Sequence, residues 1–191
     1  PQMMDAVFPA IAALAGPETV VLSIAAGRSL SSFEKHLPAA RGVVRAMPNT
    51  PAAIGRGISG AVANAAVTAR QKASCDALLG AVGSVVWLDD ESQLDAVTAV
   101  SGSGPAYVFL LAECLAKAGI AAGLDAKAAT ALARATVSGA GELLRQSPLD
   151  AATLRENVTS PGGTTAAALA VLMRTPDGME ALLTEAVRAA A

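Results

Sequence analysis

Thr19-Val20-Val21-Leu22-Ser23-Ile24-Ala25 and Gly42-Val43-Val44-Arg45-Ala46 are the stretches that decide the fold. Each is a short run rich in β-branched and other apolar residues without polar alternation, the pattern of a strand covered on both faces. Before the first run, Met4, Val7, Phe8, Ile11 and Leu14 recur at helical spacing and form one apolar face that ends near Gly16-Pro17. Between the runs, Leu30, Phe33 and Leu37 make a weaker helical stripe stopped by Pro38. Further on, Ile58 to Ala63 and Ser84 to Leu88 read as strands, with a helix from Thr68 to Leu79 between them. Strands separated by helices predict a parallel, doubly wound sheet with crossover connections. No glycine-rich first turn stands among these strands, so they read as the latter part of such a sheet.

After Asp89-Asp90-Glu91 the strands disappear and helical propensity runs to Ala191. The spacing predicts helices over Ser92 to Val100, from Pro105 to near Gly119, from an Asp125 N-cap through Leu144, and over Pro148 to Val158, Thr164 to Met173 and Pro176 to Ala191. Ser101-Gly102-Ser103-Gly104-Pro105 is expected to interrupt the first of these. The boundary between the two regions therefore falls near Asp89, giving 1–88 as α/β and 89–191 as all-helical. The helices are rich in alanine, about a quarter of the whole chain, and poor in aromatics. Such small side chains suit intertwined oligomerisation, with a self-contained bundle as the alternative.

The chain carries 14 Lys and Arg against 16 Asp and Glu, a net charge of -2, with one histidine. That balance argues against a strongly basic nucleic-acid binder, a charged disordered region and a basic membrane-surface peptide. Cys75 and Cys114 do not make a disulfide framework, and one histidine offers no zinc cluster; both cysteines read as small buried hydrophobes in a reducing cytoplasm. The most apolar stretch, Ala106 to Ala112, is too short to span a bilayer, and no secretory signal is expected.

Several local features can carry chemistry. Ser160-Pro161-Gly162-Gly163-Thr164-Thr165 lies between two helices, where inward backbone N–H groups and threonine hydroxyls can hold a carboxylate or another small anion. A threonine-capped helix turn is the plain alternative. Met47-Pro48-Asn49-Thr50-Pro51 follows a strand at the position where open sheets present ligand loops, or is a rigid connection. Ser23 to Gly27 ends a strand in small residues that allow a flat cofactor to approach. Ser101 to Pro105 either closes around a ligand or lets two helices cross. His36 reads as a helix C-terminal cap, Trp87 and Tyr107 as core or interface side chains, and Asp89 to Glu91 as an acidic junction without a metal.

In combination, SIAAG at Ser23 to Gly27, RAMPNTP at Arg45 to Pro51, DAVTAVSGSGPAY at Asp95 to Tyr107 and LRENVTSPGGTT at Leu154 to Thr165 closely resemble the pyrroline-5-carboxylate reductase family. The resemblance implies a partial Rossmann-like parallel-sheet domain over 1–88, followed by an all-helical dimerisation and substrate-binding domain over 89–191. It also implies that the opening strand, phosphate turn and first helix precede the pair Pro1-Gln2. The activity it implies is NADPH- or NADH-dependent reduction of 1-pyrroline-5-carboxylate to L-proline by a homodimer or higher homo-oligomer; the sequence itself sets the expectation of a cytoplasmic protein without nucleic acid, membrane or metal. By the same resemblance, Ser160, Gly162, Gly163, Thr164 and Thr165 bind substrate, and Thr165 orients the ring nitrogen as the catalytic group. Ala25, Ala26, Gly27, Pro48, Asn49 and Thr50 border the cofactor, and Ser101 to Pro105 shape the helical side. Another two-domain NAD(P)-dependent dehydrogenase is the alternative enzyme, although Lys117 and Lys127 stand in ordinary helical contexts for the proton transfer it needs. A non-catalytic oligomerisation module is the alternative if the chain naturally begins at Pro1.

Overall fold

The computed structural model describes residues 3–191, so the resemblance at Pro1-Gln2 lies outside the described residues. The chain forms two compact units, residues 1–105 with 190–191, and residues 106–189. In the first, α1 (Met4–Ala12) leads to β1 (Val20–Ser23), α2 (Leu30–His36) and β2 (Gly42–Met47). A 3-10 turn (Thr50–Ile54) then leads to β3 (Gly57–Ala63), α3 (Ala69–Gly80) and β4 (Gly83–Trp87). Thr68 and Gln71 close a reciprocal capping box at the start of α3, satisfying backbone donors that the helix itself cannot.

The strands lie side by side in the order β1-β2-β3-β4. β1 and β2 are parallel and so are β3 and β4, but β2 and β3 are antiparallel, with Met47 opposite Gly60. This corrects the expectation of an all-parallel sheet. A parallel return needs a crossover of about a dozen or more residues, usually helical. Residues 48–56 contain only a 3-10 turn, so the chain doubles straight back.

Alternation along β2 builds a core on each face of the sheet. Val43 joins Phe8, Phe33 and Leu37 on the face covered by α1 and α2, whereas Val44 and Ala46 join Cys75 and Leu79 of α3. His36 stacks on Phe8 at 4.3 Å while its Nδ1 meets the Ser32 carbonyl at 2.7 Å, a structural role in the last turn of α2. Trp87 is held at the sheet margin, its indole N–H donating to Asp76 Oδ1 at 3.0 Å and Lys72 Nζ 4.4 Å over the ring.

α4 (Gln93–Val97) packs on β3 and runs into a π-helical turn (Thr98–Gly102), after which α5 (Gly104–Ala121) begins. Gly60 permits this packing: a Cβ there would lie 2.7 Å from Val97 Cγ1. The expected interruption at Ser101 to Pro105 is thus a π-turn within one helical run, Gln93–Ala121, of 29 residues. That run is long and apolar enough to cross a membrane by length and composition, so the shorter apolar stretch does not carry the exclusion drawn from it.

The second unit continues α5 and adds α6 (Ala126–Gln146), α7 (Ala151–Asn157), α8 (Thr164–Leu172) and α9 (Met179–Ala190). Asp125 caps α6 by accepting from the N–H groups of Lys127 and Ala128, both at 3.0 Å, and the helix continues through Gly139 and Gly141. Among the described residues of this unit only Ala129, Ala133 and Gly178 are buried. Cys114, on α5, is exposed, which corrects its expected burial. The apolar faces of these helices are uncovered within one chain.

Candidate active site

Because β1 and β2 are parallel and in register, Ser23 opposite Arg45, the segments that follow them leave the same edge of the sheet. In open α/β sheets the carboxyl ends of strands are where ligands bind. After β1, the N–H of Ala25 donates to Ser23 Oγ at 3.2 Å, Ala25 is half-buried, and Ala26 and Gly27 are exposed. No side chain beyond a methyl group projects from these three positions, so the rim leaves room for a flat cofactor. After β2, Pro48 and Asn49 are half-buried and Thr50 is exposed. The Asn49 carboxamide faces inward: Oδ1 accepts from the Ile58 N–H at 3.0 Å, and Nδ2 donates to the Ser101 carbonyl at 3.1 Å.

One residue at this edge reads in the sequence only as part of the acidic junction, Asp89 to Glu91. Glu91 Oε1 accepts from the Leu30 N–H at 2.6 Å and from Arg45 Nη1 at 2.5 Å. It joins the start of α2 to β2 through an ion pair that is largely withdrawn from solvent on the Arg45 side. Negative charge also suits the start of a helix, where backbone N–H groups lack partners. The neighbouring Asp90 instead accepts from the Ser92 N–H at 2.8 Å, which holds its carboxyl below the usual value. Among the described residues no group of three His, Cys, Asp or Glu is placed to hold a metal ion.

In the second unit, Ser160-Pro161-Gly162-Gly163 forms a tight turn closed by the Gly163 N–H donating to the Ser160 carbonyl at 3.0 Å. Gly162 has φ of 68°. Proline followed by a left-handed residue is the type II pattern, and glycine adopts that third position without strain. The Gly163 N–H is therefore used inside the turn, so open donors come from the helix start, not from both glycines as the adjacent-glycine pattern suggested. Gly163 is the N-cap of α8 and has no side chain to supply a cap, unlike Asp125 and Asp150 before α6 and α7. The N–H groups of the first turn, from Thr164 and Thr165 onward, are left without an intrahelical acceptor. Thr164 is exposed and Thr165 half-buried, with Ser160 exposed at the start of the turn. The arrangement offers donors and positive helix-end potential to a small carboxylate.

An α/β unit with ligand loops at one sheet edge, followed by helices with uncovered apolar faces and an uncapped helix start, is the plan of a self-associating dinucleotide-dependent oxidoreductase. Residues 91–191 match the family described as pyrroline-5-carboxylate reductase dimerisation. The pyrroline-5-carboxylate reductase of Pseudomonas aeruginosa is 48% identical over 190 residues, covering 100% of this chain and 69% of the relative. That of Haemophilus influenzae is 45% identical over 172 residues, covering 90% of this chain and 64% of the relative. Among solved structures, a pyrroline-5-carboxylate reductase from Coxiella burnetii superposes with a TM-score of 0.92 at 38% identity, over 100% of this chain and 70% of that one. The Plasmodium falciparum pyrroline carboxylate reductase, solved with NADP bound, gives 0.82 at 29% identity over 100% and 75%. The chain spans about two thirds of the length of the curated relatives it matches. It belongs to the pyrroline-5-carboxylate reductase family.

Proposed function

We propose that the protein reduces the C=N bond of 1-pyrroline-5-carboxylate to give L-proline, with NADPH or NADH, in proline biosynthesis. The observation that carries this reading is the identity to a reductase of that activity over the whole chain. When bound, the nicotinamide cofactor supplies the hydride. The protein's own residues align donor and imine and hold the substrate's fixed charge.

In this reading the first turn of α8, with Ser160, Gly162, Gly163 and Thr164 around it, holds the substrate carboxylate. The Thr165 hydroxyl orients the ring nitrogen, which already carries its proton when the adjacent carbon receives the hydride. No strong side-chain acid is needed, because a cyclic imine is readily protonated before reduction. Ala25, Ala26 and Gly27 border the cofactor on one side, with Pro48, Asn49 and Thr50 beside them at the same sheet edge. Ser101 to Pro105 shape the helical side. The uncovered apolar faces of α5 and α6 support self-association as a dimer or larger assembly.

We assign 1–88 to the latter part of the nucleotide-binding domain and 89–191 to the dimerisation and substrate domain. The family match begins at residue 91, while the compact units divide after Pro105 because α4 packs on β3. We place the protein in the cytoplasm on its cysteine usage, and its near-neutral charge balance argues against a nucleic-acid partner. The test is to follow NADPH and NADH absorbance in full-length protein with and without 1-pyrroline-5-carboxylate. Oxidation dependent on substrate is expected; folded protein that shows none overturns the reading.

A further inference from the structure

We infer that Asn49 is a positioning residue, whose carboxamide fastens the loop after β2 to the π-helical turn and so sets the place of Ser101 to Pro105 in the reaction. The inference deepens the reading above and rests on it. It starts from a donor that the sequence withholds. In a regular helix the Ser101 carbonyl would accept from the N–H of the residue four positions on, which is Pro105, and proline has none. A buried or half-buried carbonyl left that way is costly, and a chain segment that contains one tends to rearrange.

Here the segment stays helical. The Ser103 N–H reaches back to the Thr98 carbonyl at 2.8 Å, a π-type bond, and Asn49 Nδ2 supplies the Ser101 carbonyl with its donor at 3.1 Å. The other end of the same carboxamide is fixed by the Ile58 N–H at 3.0 Å. These partners determine which way the amide points, since only its oxygen can serve Ile58 and only its nitrogen can serve Ser101. Asn49 stands at the N-cap position of the 3-10 turn yet makes no cap bond there, because its side chain is turned to this bridge. Packing of Val97 against Gly60 seats α4 on β3, and the Asn49 bridge holds the turn that follows. π-turns recur at functional sites because they displace a short length of helix without breaking it. This one ends in Ser101-Gly102 and leads, past Ser103, into Gly104-Pro105 at the start of α5.

No similar side chain replaces both bonds. Aspartate keeps an acceptor for Ile58 but sets an oxygen against the Ser101 carbonyl, and alanine supplies neither partner. Returning an N–H at position 105, by Pro105→Ala, gives the helix its own donor for Ser101 and should make the Asn49 bridge dispensable.

The experiment uses full-length protein as wild type, Asn49→Ala, Asn49→Asp, Pro105→Ala and the Asn49→Ala/Pro105→Ala double variant. It reads amide exchange over 98–104, NADPH Kd and kcat with 1-pyrroline-5-carboxylate. For Asn49→Ala we expect exchange over 98–104 to quicken about tenfold and kcat to fall about tenfold, whatever share of NADPH affinity is lost with it. In the Pro105→Ala background the same substitution should quicken exchange by no more than about twofold, a non-additivity that marks direct coupling. A tenfold weaker NADPH Kd with unchanged exchange would make Asn49 a cofactor ligand and overturn the inference, as would additive effects in the double variant. Should Asn49→Ala fail to fold, Asn49→Asp carries the same prediction. If the wild type oxidises no NADPH with this substrate, the proposed reaction fails, while the exchange measurements still decide the Asn49 bridge on their own.

Discussion

The two units are built from one alanine-rich chain yet close their cores differently. The first buries Phe33, Leu37, Val43, Val44 and Cys75 almost completely, while the largest side chains buried in the second are those of Ala129 and Ala133. In the first, a sheet presents two apolar faces and helices cover both. In the second, α5 and α6 leave Phe109 69% and Leu132 56% exposed. Exposed apolar area on that scale marks an association surface, and it agrees with the dimerisation family that this region matches. The contrast is between a half whose core closes within its own chain and a half whose helices leave apolar faces open, as a dimerisation region does.

That contrast breaks first at Phe33. Its ring meets Phe8 edge-on at 5.5 Å within the first core, so Phe33→Ala should cost about 3–5 kcal/mol. The loss should be independent of protein concentration in urea unfolding of the first unit's signal, that of Trp87. A loss that shrinks as protein concentration rises would mean that the first unit also leans on the assembly. Phe109→Glu is the counterpart. On a free surface it should be silent, whereas at a subunit interface it should weaken assembly by about a hundredfold or more, roughly 2.7 kcal/mol. Sedimentation across a dilution series decides between these outcomes, and an unchanged dimer would remove Phe109 from the interface.

How far each unit was legible in the sequence follows from how local its signals are. Thr68 and Asp125 mark helix starts within a residue of where they occur, because capping is a contact among near neighbours. The Val43/Val44 runs identified strands correctly, since burial on both faces leaves a continuous apolar pattern. Strand direction between β2 and β3 depended instead on what residues 48–56 lack, a helix, and strand-by-strand reading passed over it. Ser101 to Pro105 looks like a break by propensity; the structure places the end of a π-turn there, and the donor to its Ser101 carbonyl comes from Asn49, more than fifty positions back. Glu91 was likewise unreadable because Arg45 is 46 positions away. At the loop over residues 160–165 the residue types pointed to an anion site, whereas the turn conformation at Gly162 determines which N–H groups remain open.

Thr165→Ala sharpens the comparison at the level of chemistry, because the hydroxyl proposed to orient the substrate lies in the unit without a core of its own. Removing the orienting hydroxyl should lower kcat/KM about tenfold to a hundredfold, roughly 1.4 to 2.7 kcal/mol, with little change in melting temperature. A structural role alone predicts the reverse, a lower melt with normal activity per folded site. In the first unit, Glu91→Gln keeps an acceptor for Leu30 but removes the charge facing Arg45. It should cost about 1–2 kcal/mol of stability in urea, with Arg45 Nε already buried without a partner. A cost indistinguishable from zero would show that the pair serves geometry without stabilising the fold.

The smallest expected effect lies at the start of α7, where Asp150 accepts from the Thr153 N–H at 2.8 Å. This bond, more than the nearby Arg155 charge, holds the Asp150 carboxyl below its ordinary value of 3.8. A carboxyl with a lowered folded-state pKa binds its proton more readily in the unfolded chain, so its contribution is full above the ordinary value and fades as pH falls through the folded one. Asp150→Asn keeps a capping oxygen and removes the titration. The melting temperature of wild type should therefore exceed that of Asp150→Asn slightly at neutral pH, with the gap closing below about pH 4 as the carboxyl takes up its proton. Since α7 belongs to the unit whose helices leave apolar faces open, the comparison must be made at one protein concentration well above the dimer Kd. A gap that stays constant down to pH 2 would show that the cap acts through its oxygen alone, with no contribution from the charge.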